Sequence, residues 1–274
     1  MALGALCRLG AARRRLMSGG VTLIPAAADG IARVCIANPG KRNALSVSMW
    51  HALRATFEAL DEATTRVVIV HGAGGVFASG GDIEEFLQFR FDEAELCAFH
   101  EEAVAPALQS LARCNVPVIA QIEGPCVGGG LEIAACCDIR IAGEGSRFGI
   151  PIARLGFPLA PLEAQLVAQV LPMPLLRELL IEARLLGAHE AWQRGLVNRV
   201  VPDADVAAEA RRSAEHIATL SPQAMRLNKI TLRQIAAGGP TAAERQAHYA
   251  YAPSAEHREG LAAFLDKRPA RFIS

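Results

Sequence analysis

The 274-residue chain is short of lysine, of net charge and of long apolar runs, and each shortage bears on function. Lys41, Lys229 and Lys267 are the only lysines, and 28 Lys and Arg balance 28 Asp and Glu to zero net charge. Nucleic-acid surfaces usually show a basic stripe, so neutrality argues against that partner. The excess of Arg over Lys, with abundant Ala, reads as codon bias of a GC-rich genome rather than as chemistry. No apolar stretch approaches the ~20 residues that a membrane span needs. Seven cysteines make an odd count with no zinc-ligand spacing: Cys136 and Cys137 are adjacent, and Cys97, Cys114 and Cys126 are scattered. Thiols in a reducing compartment are the simplest reading. Internal repeats and low-complexity linkers are also missing. What is there is 51% apolar, enough for one large domain with a substantial core.

Residues 1–19 stand apart. Arg8, Arg13, Arg14 and Arg15 occur with no acid before Asp29. That pattern suits a mitochondrial presequence and makes a poor secretory signal. The simpler reading is an extension ahead of a true start at Met17 in a bacterial-type cytoplasmic protein.

Along the rest, apolar runs alternate with amphipathic ones. Strands are predicted at 31–38, 66–72, 117–124, 138–143 and 196–201, and helices at 44–63 and 92–114. "CVGGGLEIAACCD" (126–138) is a short helix behind three glycines. After Asp203 three or four helices follow, one opening with Ser221 as N-cap and Pro222 at the first helical position. Strands alternating with helices indicate an α/β fold, and the late helical block an appendage.

Several familiar patterns fail on context. "VVIVHGAGGVF" starts like a dinucleotide fingerprint, but Phe77 holds the third glycine position and no helix follows. "GPCVGGGLE" lacks the Gly-Lys-Ser/Thr ending of a phosphate loop. His71 is a lone histidine at a strand end, and His100 has no second histidine one turn on, so no zinc site is supported. No nucleophile elbow is present.

Two glycine-rich stretches remain, "GAGGVFASGGDIEEF" (72–86) and "EGPCVGGGLEIAACCDIRIAGEGSRFGIP" (123–151). Preceded by "NPGKRNALS" (38–46) and closed by "EGLAAFLDKRPARF" (259–272), they resemble the enoyl-CoA hydratase/isomerase (crotonase) superfamily from about residue 20 onward. The resemblance implies a spiral of ββα units over 20–200 and a helical trimerisation segment over 201–274. It further implies an acyl-CoA thioester as partner, a homotrimer or a dimer of trimers, and neither metal nor redox cofactor. Coenzyme A enters as part of the substrate.

The residues fit such chemistry. A thioester turning into an enolate gathers negative charge on its carbonyl oxygen, and each preorganised N–H donor removed there costs about 2.7–4 kcal/mol. Glycine lets backbone approach a ligand closely, and a helix N-terminus leaves its first N–H groups free. By resemblance the donors are Gly81 and Gly129. Coenzyme A is implied along Lys41, Arg42, Asn43 and Ala44 and along Ser79, Gly80, Gly81, Asp82 and Ile83. Lys267 and Arg268 are implied contacts to its phosphates, across a subunit boundary, unless they are an ordinary solvated helix end.

The carboxylate count departs from the family. Glu132 matches the first of the two glutamates that hydratases use on one water. The second is expected directly after the proline of "FGIP", where Ile152 stands. "FPLAPLEAQL" (157–166) also replaces a usually glycine-rich turn. A positioned acid or base contributes roughly 10²–10⁴-fold, so losing one slows two-glutamate hydration. Glu163 is the best local replacement, although after Pro161 it also reads as an ordinary first-turn helix acid. Glu84 and Glu85 fit a solvated lid helix, and Asp138 fits a structural role. Hydration is the default activity. Double-bond isomerisation, decarboxylation of a malonyl-type CoA and a catalytically weak acyl-CoA binder are the alternatives.

Overall fold

A computed structural model describes residues 19–272, so the readings for the Arg-rich start and for Met17 lie outside the described residues. Strand β1 (Gly20–Ile24) turns back antiparallel on β2 (Ile31–Ala37), and helix α1 (Val47–Glu58) leads to β3 (Val67–Gly72). Helices α2 (Ile83–Phe89), α3 (Glu93–Ala98) and α4 (Ala105–Arg113) precede β4 (Val118–Ile122). Next come β5 (Pro125–Val127), α5 (Gly129–Cys136), β6 (Ile139–Gly143) and β7 (Arg147–Gly149). Helices α6 (Pro161–Ala168) and α7 (Met173–Ile181), β8 (Leu186–Gly187), α8 (Ala188–Gln193) and β9 (Arg199–Val201) complete the sheet-bearing part. Four helices follow: α9 (Val206–Ala218), α10 (Pro222–Ala236), α11 (Ala242–His248) and α12 (Ala255–Leu265).

The strands form two sheets, one ordered β1-β2-β3-β4-β6-β9 and a smaller one ordered β5-β7-β8. From β2 to β9 the large sheet is parallel, so both its faces need cover. Alternation along the strands divides that burial. Val68, Val70, Ala120 and Ile122 pack with Leu53, Leu108 and Leu111 on one side. Ile69, Ile119 and Ile141 meet Ala210 and Ala214 of α9 on the other. This is the expected α/β architecture followed by C-terminal helices, and it is built on two sheets. Among the described residues no helix is long and apolar enough to cross a membrane.

Two predicted details hold at the level of single bonds. Ser221 caps α10 by accepting the Ala224 N–H at 3.0 Å. Asp138 accepts the Val118 N–H at 2.6 Å and pairs with Lys229 at 2.7 Å, which ties the end of α5 to β4 and α10. The helix predicted over 92–114 is instead interrupted by a π-helical turn, Phe99–Val104, in which the Ala105 N–H reaches the His100 carbonyl. Pro106 supplies the reason. Its ring has no N–H and collides with the carbonyl four residues back, so the ladder widens before it. Strands β5, β7 and β8 went unpredicted because two or three residues carry no readable period.

Candidate active site

Two glycine turns meet. The segment carrying Ala78 is hung on β5, with Ala78 N–H on the Pro125 carbonyl at 3.0 Å and Val127 N–H on the Ala78 carbonyl at 3.0 Å. Its far end is hung on Leu45, which donates to Gly80 at 2.7 Å and accepts from Asp82 at 2.9 Å. This pairing uses the amides on either side of Gly81 and leaves the Gly81 N–H to the opposite side. Gly129 is the first residue of α5, where an N–H has no partner a turn earlier. Gly80 and Gly128 lie back to back: a Cβ on Gly128 would sit 3.4 Å from the Gly80 Cα. Both have positive φ, 99° and 52°, which side-chain-bearing residues resist. Gly81 and Gly129 therefore line one pocket from two different loops.

That pocket spans about 670 Å³ of space not filled by protein atoms, solvent at its mouth included. Glu132, one turn into α5, faces it and is only 4% exposed. Burial drives its carboxyl well above the ordinary range; the nearby Glu163 charge adds to this, and Arg90 partly opposes it. Glu163 stands in the first turn of α6 after Pro161, as the sequence suggested, yet it is 3% exposed and faces the same pocket. His100 holds it, with Nδ1 2.6 Å from Glu163 Oε1. Ile152, at the expected second-glutamate position, lies in a short 3₁₀ turn, Pro151–Leu155, and also lines the pocket. The structure thus brings two carboxyl groups together, the second arriving from a different position than the motif predicts.

The residues implied for coenzyme A divide. Ser79, Gly80 and Ile83 line the pocket. Asp82 caps α2 and pairs with Lys41 at 2.7 Å, while Glu84 pairs with Lys41 at 2.8 Å. Glu85 accepts the Val47 N–H at 2.8 Å, so it braces α1 rather than facing only solvent. Arg42 and Asn43 have positive φ, 50° and 55°, in the tight turn that leads to buried Ala44. Lys267 is exposed just past α12 and lines no part of this pocket; Arg268 pairs with Glu259 at 2.7 Å.

The Enoyl-CoA hydratase/isomerase family model matches residues 26–274. The chain belongs to this family. Human enoyl-CoA hydratase domain-containing protein 3, mitochondrial, is 32% identical over 245 residues, covering 88% of this chain and 80% of that protein. A putative enoyl-CoA hydratase of Thermus thermophilus is 30% identical over 246 residues, covering 88% of this chain and 97% of that one. A solved structure described as an enoyl-CoA hydratase/carnithine racemase from Magnetospirillum magneticum superposes with a TM-score of 0.88 at 37% identity, covering 93% and 96% of the two chains. No motif marks Arg90, and His100 stands out in the sequence only as a zinc-ligand candidate without a second histidine one turn on. "FLQFRFD" held one signal, an arginine set among three phenylalanines.

Proposed function

We propose that the chain is an acyl-CoA-processing enzyme whose default reaction is hydration of an enoyl-CoA. The N–H groups of Gly81 and Gly129 receive the thioester oxygen, and Glu132 and Glu163 serve as the acid–base pair. The observation that supports this reading is the approach of Gly80 to Gly128 above a pocket holding both buried glutamates. Negative charge moves onto the thioester oxygen as water adds to the β-carbon. The two backbone donors favour that state because they are fixed before the reaction starts.

Glu132, whose carboxyl burial pushes well above the ordinary range, is suited to deliver a proton to the α-carbon. Glu163, oriented by His100, is suited to take one from the attacking water. Two carboxyls in unlike surroundings allow one to act as acid and the other as base. Coenzyme A runs along the 41–44 turn and the Ser79–Ile83 segment in this reading. Leu232, Ile235, Leu261 and Phe264 of the C-terminal helices are all more than half exposed in the single chain, which supports homo-oligomer formation through this region.

Isomerisation of a double bond is the second reading, favoured by Ile152 at the position of the usual second glutamate. Rates on crotonyl-CoA and on a 3-enoyl-CoA separate the two. Hydration requires both carboxyls, so Glu132→Gln and Glu163→Gln should each reduce it. Isomerisation by a single base should respond to Glu132→Gln alone. A protein that turns over neither thioester, and whose Glu132→Gln variant behaves as wild type, would contradict the enzyme reading altogether.

A further inference from the structure

Arg90 is a cation set among aromatic rings at the inner wall of the pocket. Its guanidinium carbon lies 3.7 Å from the Phe157 ring centre and 4.3 Å from that of Phe86. Phe86 in turn packs edge-on against Phe99 and Phe157. Nη2 contacts His100 Nε2 at 3.4 Å, while Nε is buried with no hydrogen-bond partner. Among the described residues no carboxylate forms an ion pair with it: Glu163 is engaged by His100, and Glu132 acts only at longer range. Contact with the rings takes up no N–H group, so apart from Nη2 the in-plane donors of the guanidinium are unspent. A buried donor on a charged group is costly to leave unpaired. The arrangement therefore suits an anion arriving edge-on in the guanidinium plane.

We propose that Arg90 receives a carboxylate carried by the acyl chain, so that the substrate is the CoA thioester of a short dicarboxylic acid. This rests on the acyl-CoA reading above and narrows it. A carboxylate is planar and presents two oxygens, which matches the guanidinium fork. Phe86 sets the length of the chain. A Cβ on Gly81 would lie 2.3 Å from Phe86 Cζ, and the Arg90 guanidinium carbon lies over that same ring, 4.3 Å from its centre. One phenyl ring thus separates the turn that receives the thioester oxygen from the cation, a gap that a short acyl chain spans. An acyl carboxylate held by Arg90 is stabilised as the anion, which opposes its loss as carbon dioxide. Arg90 accordingly weighs against decarboxylation of the bound group and favours chemistry that leaves it in place.

Unreactive saturated thioesters test the proposal without relying on turnover. Calorimetric titration of the full chain with glutaryl-CoA and with valeryl-CoA compares ligands of equal carbon count that differ in the terminal carboxylate. The wild type should bind glutaryl-CoA about tenfold or more tightly than valeryl-CoA. Arg90→Gln should abolish that preference, and Arg90→Lys should keep part of it by retaining the charge. Equal affinities in the wild type, or a preference that survives in Arg90→Gln, would overturn the proposal. Equal binding of both thioesters leaves the acyl-CoA reading intact and removes only this inference. Binding of neither removes both.

Discussion

His100 and Glu163 meet at 2.6 Å between Nδ1 and Oε1, inside the pocket that also holds Glu132. On the other side of the ring, Nε2 lies 3.4 Å from Arg90 Nη2. A chain of polar contacts thus runs from the guanidinium through the imidazole to Glu163. It orients the carboxyl without using up its second oxygen.

Removing the buried acid should separate catalysis from stability. Glu132→Gln is expected to lower kcat roughly 10²–10⁴-fold, the usual contribution of a positioned acid or base. It should not lower the melting temperature, since a neutral amide replaces a carboxyl that burial already disfavours as an anion. Steady-state rates on crotonyl-CoA with parallel melting curves check both halves. An active variant refutes the role of Glu132.

His100 and Glu163 should behave as one unit. The single variants His100→Ala and Glu163→Gln are each expected to slow hydration, and the double variant to be little slower than the worse single. Residues in direct contact show coupling of about 0.5–3 kcal/mol in such cycles. Additive losses in kcat would show that the contact holds the fold and not the reaction.

Stability should depend on pH through Glu132. Its folded-state value is raised, so between the ordinary carboxylate value and the raised one the folded chain holds a proton that the unfolded chain has released. Stability from this group is complete below the unfolded value, about 4.3, and is lost as pH rises toward the folded value. Melting temperatures of wild type and Glu132→Gln should therefore diverge in favour of the variant as pH rises above about 5. A constant gap across that range would count against a raised Glu132.

Gly130 should tolerate no side chain. A Cβ there would fall 2.5 Å from the Ala78 carbonyl oxygen and 2.9 Å from its Cβ, both on the turn that carries Gly80 and Gly81. Alanine is the better helix former by about 1 kcal/mol, yet overpacking against backbone costs about 1–3 kcal/mol. Gly130→Ala is expected to lower the urea midpoint and to reduce turnover by displacing the Gly81 N–H. An unchanged midpoint would mean that the two turns are not held as tightly as their spacing indicates.

Much of the fold was legible because it depends on short-range rules. β-Branched runs such as "RVVIVHG" and "PVIAQIEG" mark strands, Ser221-Pro222 marks a helix start, and glycine runs mark turns wherever they fall. The two glycine turns proposed to receive the thioester oxygen belong to this class, since their glycines are adjacent in sequence and form turns by residue type alone. The π-helical turn was less legible. Pro106 lies inside an otherwise regular helical pattern, and its consequence falls several residues before it.

The sequence by itself determined the α/β architecture, the glycine turns, the position of Glu132 and the absence of a glutamate at Ile152, since each is a property of residue type and local spacing. Tertiary structure alone decided where Glu163, His100 and Arg90 meet. Glu163 reads as an ordinary first-turn acid until the far end of its side chain is found buried against His100, 63 residues away. Arg90 lies at the C-terminal end of α2 with no role assigned from sequence until Phe157 closes over it. Burial and charge pairing depend on which faces of distant helices come to share one pocket, and local periodicity carries no record of that.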